Sequence, residues 1–248
     1  MKQYQTSSDL KNTAKECLAG KYGSAAGITV AFFTVSFAIG FVLVFCVSLF
    51  FLSIVGNTET FGSKLIMYLL SGACSILAGV LNSGMALFYL NIACGQRFSV
   101  RDLFYCFSTD FHKALLISAA MTLPEIICLL PYNIFVHLYE STSNPFWAVL
   151  VLASAVLGLV IYIPITLGLS MSFYLMLDFP QYSTKQILGR SFQLMKGHKG
   201  RLFYIQLSFL PLLFLCTLTF GIGYLWIAPY AQMTQALFFL DLMNPRQS

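Results

Sequence analysis

Charge is what this sequence has least of. Only 9% of its 248 residues are Asp, Glu, Lys or Arg, against about 25% in an average soluble domain. Too few polar groups remain to cover a water-facing surface, which excludes an ordinary soluble globule. Catalytic signatures are missing too. His112, His137 and His198 are scattered without an H-E-x-x-H, and neither G-x-x-x-x-G-K-[ST] nor G-x-S-x-G occurs. Gly221-x-Gly223 is a lone turn signal without a dinucleotide-binding context. These absences argue against an enzyme, and no cofactor or metal is expected. The seven cysteines are odd in number and no pair has metal-ligand spacing, so they read as small apolar side chains rather than a disulfide framework. A cleaved secretory signal is also not expected. The first apolar run starts near Ala25, behind a polar stretch, and lasts about 31 residues, whereas a signal core has roughly 7–15.

What is abundant is apolar: 58% of residues are hydrophobic, with 24 Phe and 13 Tyr. A helix crossing a bilayer needs about 20 largely apolar residues. Four runs satisfy this, at 25–55, 65–93, 115–138 and 146–177. A fifth stretch, Leu202–Leu240, is too long for one crossing. Split at Gly221-Ile222-Gly223 it gives two short spans, 202–220 and 224–240. The competing reading is one kinked, partly re-entrant element. The expected fold is therefore an all-α integral membrane protein, a single polytopic domain over 1–248 with about six spans.

Orientation follows from the basic residues. With six spans, 13 of the 14 Lys and Arg fall on one side, leaving only Lys64 on the other. The connections on the Lys64 side, around Gly56–Lys64, Tyr139–Pro145 and Gly221–Gly223, are short. The basic side is assigned to the cytoplasm, with both termini there. A five-span chain would move only Arg246 across, so the rule fixes the N-terminus more firmly than the C-terminus.

Before each pair of spans comes an amphipathic, helix-period segment, at about 7–20, 99–109 and 183–197. Leu10, Ala14, Cys17 and Leu18 make one such face, Val100, Leu103, Phe104 and Phe107 the second, and Ile187, Leu188, Ser191, Phe192 and Met195 the third. Ser99 before Asp102 and Ser183 before Gln186 have capping-box spacing, and Thr6 to Ser8 precede Asp9. Gly20-Lys21-Tyr22-Gly23 and Gly197-His198-Lys199-Gly200 sit at equivalent distances behind the first and third segments. The pattern predicts three interfacial helices in a possible threefold repeat of interfacial helix plus hairpin; similarity among unrelated amphipathic helices is the competing explanation.

Ser191 to Lys199 (S-F-Q-L-M-K-G-H-K), then Leu207-Ser208-Phe209, Gly221-Ile222-Gly223, Trp226 and Pro229-Tyr230, together with Ser8–Lys11, Leu18, Tyr22 and Gly23, resemble a bacterial, Firmicutes-type family of uncharacterised integral membrane proteins. That family is distantly similar to the membrane domain fused to some glycerophosphodiester phosphodiesterases. The resemblance covers essentially the whole chain. It implies a multi-pass protein of the bacterial cytoplasmic membrane and no particular reaction.

Glu125 is the one acid deep in an apolar run. It lies about 11 residues, or roughly 16 Å of helix, from the cytoplasmic end near Ala114, where an insertion cost of about 2.5–3.5 kcal/mol applies to a charge. Pro124 and Pro131 flank it, and a helix broken there would present a half-helix N-terminus to a bound ion. The plainer reading is a carboxyl capping freed amides or bonding another helix, with Asn82 or Gln206 as partner. Asn91, Asn133, Gln232 and Gln235 read as interhelical or interfacial polar groups. Ser71, Ser75, Gly79 and Ser83 form a small-residue stripe for close helix packing, within the chain or in a homo-oligomer. Lys185, Arg190, Lys196, Lys199 and Arg201 are candidate contacts to anionic lipid head groups, at about 1 kcal/mol per charge. Three function classes stay open: a non-catalytic accessory protein contacting anionic lipids or a membrane-protein complex, which the basic segments favour; a small-solute or proton-coupled transporter built on Glu125; and a lipid-modifying enzyme. Nucleic-acid binding is not expected.

Overall fold

The computed structural model describes residues 2–54, 61–219, 221–244 and 246–247, and the connection predicted around Gly56–Lys64 lies largely outside them. The described chain is helical apart from a two-residue antiparallel pairing of β1 (Lys2–Gln3) with β2 (Arg246–Gln247). The helices are α1 (Ser7–Leu18), α2 (Tyr22–Ile54), α3 (Phe61–Ala93), a 3-10 turn at Val100–Phe104, α4 (Tyr105–Ser108), α5 (Phe111–Thr142), α6 (Pro145–Leu169), α7 (Ser172–Asp178), α8 (Thr184–Leu194), α9 (Lys199–Leu207), α10 (Leu210–Leu218) and α11 (Tyr224–Met243). Among the described residues, five segments are long and apolar enough to cross a membrane: Tyr22–Phe45, Lys64–Ala93, Phe111–Thr142, Pro145–Asp178 and Lys199–Leu218. Their outer faces stay unburied: Phe37, Leu152 and Phe214 are about 70% exposed, an apolar surface that calls for lipid.

Local chemistry explains the breaks. The fourth apolar run is two helices, α6 and α7, bent at Ser170-Met171. The fifth is α9 and α10, parted at Ser208-Phe209 just ahead of Pro211, which has no N–H to continue the ladder. α5 ends on Ser143 in the left-handed conformation. Asn144 then caps α6, accepting from the Phe146 amide at 3.0 Å with Pro145 in the first turn. α5 and α6 thus form a tight antiparallel hairpin, close enough that a Cβ on Gly158 would stand 2.9 Å from the Cys128 carbonyl.

α11 is not among the five apolar segments, although its 20 residues give about 30 Å of helix. Gln232, Thr234, Gln235 and Asp241 lower its hydropathy, and it is an interior helix that packs on α1, α2 and α3. Protein covers the apolar faces of two of the amphipathic segments. Leu10, Ala14 and Leu18 of α1 are buried, with α1 seated on α11, and Ile187, Ser191 and Met195 bury α8 against α6 and α7. An apolar stripe states that one face must be covered, not whether lipid or protein covers it. The capping boxes are formed at Thr6/Asp9, Ser99/Asp102 and Ser183/Gln186, and Gly20 and Gly197 both take positive φ, 74° and 85°.

Candidate functional site

Ser75, Gly79 and Asn82 on α3 recur at the spacing that puts residues on one helix face, and Ser118, Thr122 and Glu125 repeat it on α5. The two rows face each other. Gly79 makes this possible: a Cβ there would lie 1.8 Å from the Ser118 hydroxyl oxygen, so the helices meet where α3 has no side chain. The Ser118 hydroxyl crosses to the Ile76 carbonyl at 2.7 Å. With Tyr162 and Thr166 of α6 and Met121 and Phe173, these rows line a partly open cavity of about 300 Å³ that includes Glu125 and Asn82.

Asn82, Met121 and Phe173 also line an adjoining cavity of about 210 Å³, completed by Ala86, Ser170, Tyr174, Gln232 and Gln235. The bend between α6 and α7 turns Ser170 toward it, and its carbonyl accepts from the Gln235 amide at 3.5 Å. The two spaces share three lining residues and together make up a polar tract from the middle of α5 to α11. Its fringe hydroxyls are committed: Thr122 donates to the Ser118 carbonyl at 3.0 Å, Thr166 to the Ile163 carbonyl at 3.0 Å, and Ser170 to the Leu167 carbonyl at 2.7 Å.

Glu125 stands exposed on the cavity wall, and among the described residues no cation pairs with it. The helix break expected beside it is absent: α5 runs without interruption through Pro124 and Pro131. Each proline removes one amide donor without ending the helix, and the Tyr68 hydroxyl of α3 donates across to the Ile126 carbonyl of α5 at 2.8 Å. Glu125 therefore caps no half-helix. Gln206 also stands apart: it is exposed on α9, which packs on α6 rather than on α5. Of the small-residue stripe, Ser75 and Gly79 line the cavity, the exposed Ser71 donates to the Tyr68 carbonyl at 2.7 Å, and buried Ser83 bonds the Val80 carbonyl. Close approach on α3 is made at Gly72, Gly79 and Gly84.

A separate cavity of about 400 Å³ lies at the other ends of α3 and α5, lined by Lys64, Tyr68, Asn133, His137 and Glu140. Its acid is already engaged, since Lys64 and Glu140 pair at 2.8 Å. The five basic candidates divide. Lys185, Arg190 and Lys196 are exposed, with the Arg190 guanidinium 4.2 Å from the centre of the Tyr182 ring. Lys199 donates to the Pro164 carbonyl at 3.0 Å. Arg201 is engaged within the protein. It pairs at 2.6 Å with Asp241, whose side chain is 3% exposed, and donates to the Gln5 carbonyl, while the Gln5 amide bonds the other Asp241 oxygen at 3.1 Å. Its hydrophobic neighbours are Tyr4 and Phe238, so this cation locks the first residues and α9 to the end of α11.

Tyr162, Thr166, Phe173 and Ser170 carry no mark in the sequence, and nothing in their spacing ties α6 and α7 to Glu125. The matching rows 75, 79, 82 and 118, 122, 125 are the readable signal. Comparison with curated proteins and with solved structures gave no match. A family model does match, over residues 1–245, and the chain belongs to that family, described as Protein of unknown function (DUF975).

Proposed function

We propose that this is a non-catalytic carrier or binding protein of the bacterial cytoplasmic membrane that holds a small polar solute in the cavity at Glu125. The observation that carries the reading is that Glu125 and Asn82, from two different spans, line one cavity of about 300 Å³, although an intramembrane carboxylate is expensive unless it is used or satisfied. Six crossings with both ends in the cytoplasm suit this reading. The pairing of Lys2–Gln3 with Arg246–Gln247 and the bond from Gln5 to Asp241 keep the two ends together, as an even number of crossings would. α11 supplies the sixth, with Gln232 and Gln235 turned to the tract and Asp241 to Arg201 rather than to lipid. The three capping boxes and the left-handed glycines after α1 and α8 favour descent from a repeated unit.

The test is extraction of the full chain into native-lipid particles, followed by mass spectrometry of small molecules. A solute retained by the natural protein and lost from Ser75→Phe, which fills the cavity from an exposed lining position, is expected. Equal retention by both proteins would remove the reading. For topology, a variant keeping only Cys94, exposed behind α3, should react in intact cells with a permeant maleimide and not with an impermeant one. Burial and Asp178 push its thiol up, so the reaction is run at mildly alkaline pH.

A second reading has its own observation. Lys185, Arg190 and Lys196 lie exposed on and just behind α8, whose apolar face is already covered by protein. That leaves a basic rim available to anionic lipid head groups or to an acidic membrane-protein partner. Loss of phosphatidylglycerol enrichment in particles of a triple Ala variant would support it.

A further inference from the structure

The chemistry of the tract narrows what it can hold. A carbonyl oxygen only accepts hydrogen bonds, so each hydroxyl bonded to one has spent its single hydrogen there. Ser118 is committed to Ile76, Thr122 to Ser118, and Thr166 to Tyr162 and Ile163. What these three oxygens offer the cavity is lone pairs. Glu125 adds two carboxyl oxygens, while Ser75, Asn82 and Tyr162 supply donors, and among the described residues no Lys, Arg or His lines either cavity. The space is acceptor-rich, and among the described residues Glu125 is its one acidic side chain. An anion is thereby disfavoured.

Among the described residues no three His, Cys, Asp or Glu side chains gather to hold a metal ion. One carboxylate balances one positive charge. The about 300 Å³ of the Glu125 cavity equals roughly ten water volumes, far more than a bare monovalent ion fills. Two aromatic rings, Tyr162 and Phe173, stand in the lining, and ring faces attract organic ammonium groups. The adjoining cavity, with Asn82, Gln232 and Gln235, offers both donors and acceptors without charge, which suits the polar remainder of a solute rather than its cation.

We infer that the tract binds a small organic monocation, with its ammonium group at Glu125 and its uncharged polar end toward Gln232 and Gln235. This rests on the solute-binding reading above and adds the class of solute. The probes are propylammonium, propionamide and propionate, matched in size and differing in charge, applied in tritiated form to the full chain in phosphatidylglycerol–phosphatidylethanolamine nanodiscs at pH 7. Propylammonium should bind at least tenfold tighter than propionamide, and propionate should not bind. Glu125→Gln, nearly isosteric, should weaken propylammonium by roughly 10- to 100-fold, the range for a hydrogen bond to a charged group, and change propionamide binding far less. Thr122→Val removes one acceptor at constant shape and should weaken propylammonium by about 2- to 10-fold.

Equal binding of propionamide and propylammonium would overturn the cationic class while leaving a solute site. So would displacement of propylammonium by sodium at equal concentration, which would mark an inorganic ion site. If none of the three probes binds while native-lipid particles still lose a solute on Ser75→Phe, the class is wrong and the site stands. If neither occurs, both readings fall.

Discussion

Over residues 64–78 of α3, Gly72 alone is buried, whereas burial is nearly continuous from Gly79 to Met85 and on to Ile92. α5 shows the same division in reverse chain order: Ala114, Ile117, Ser118 and Thr122 are buried, and no residue from Leu123 to Thr142 is. In α2 burial stops at Thr29 among the described side chains, and in α11 it concentrates between Ala228 and Leu242. The half of the molecule that bears the basic residues is therefore a packed protein core, roofed by α1 and α8. The opposite half is a spread of apolar helices whose remaining neighbours are lipid. The same composition serves both, because lipid and a protein core are equally apolar surroundings. The Glu125 tract lies at the frontier between the halves, where helices held together at one end begin to part.

The sharpest way to break this comparison is to remove one ion pair from each half. Arg201 and Asp241 are 19% and 3% exposed, whereas Lys64 and Glu140 are 39% and 54% exposed. Arg201→Ala leaves a buried carboxylate without its cation and frees the first residues from α11. A loss of about 3–5 kcal/mol is expected, as for other broken buried pairs. Glu140→Ala should leave the unfolding midpoint where it was, because water and head groups solvate what remains. Equilibrium unfolding of both variants in one detergent decides it, and equal losses would show that the two halves are equally packed.

Glycines sharpen the comparison at smaller scale. A Cβ on Gly84 would come within 2.2 Å of the Leu103 backbone carbonyl, in the 3-10 turn that seats on α3, while a Cβ on Gly40 of α2 would meet nothing within 4 Å. Gly84→Ala should therefore cost about 1–3 kcal/mol through displaced backbone. Gly40→Ala should raise stability by about 0.5–1 kcal/mol, because alanine loses less conformational freedom in a helix. A neutral Gly84→Ala would mean that the 3-10 turn does not rest on α3 as described.

The lipid-facing half is the legible one. Five apolar segments announce themselves because nothing polar is needed on a helix surrounded by hydrocarbon. α11 is harder, since Gln232, Gln235 and Asp241 belong to an interior that hydropathy alone does not distinguish from an interface. The capping boxes at Thr6, Ser99 and Ser183 are readable because both partners lie within one turn. The covering of α1 and α8 by protein is not, because a stripe fixes a helix face and leaves its neighbour open. Glu125 and Asn82 stand out as polar groups in apolar runs. Their meeting, and the exclusion of Gln206 from it, depend on how α3, α5 and α9 rotate about their axes, which short loops do not specify. Pro124 suggests a broken helix, yet α5 runs whole through it, because a proline inside a membrane-spanning helix need not end it. Arg201 counts as one more cytoplasmic charge until its distance to Asp241 separates it from Lys196.

The smallest effect concerns the same roof over the packed half. His198 opens α9 with its ring 4.6 Å from Tyr4, edge to face. Burial, and then the nearby Arg201, hold its imidazole below the ordinary 6.5, with Asp241 opposing them. A group whose folded value is depressed binds fewer protons folded than unfolded across the interval between the two values. The neutral ring thus contributes stability that is complete above about pH 6.5 and is lost as pH falls through the window beneath it. The first place to respond is the N-terminal segment, because a charged ring beside Tyr4 repels Arg201, which holds Gln5. Amide exchange of residues 4–6, corrected for its intrinsic pH dependence, should accelerate between neutral pH and mild acid. His198→Phe keeps the ring contact and cannot titrate, so its protection should change less over that range. If the natural protein and the variant respond alike, the acid sensitivity does not come from the imidazole, and His198 is only a packing residue on the roof.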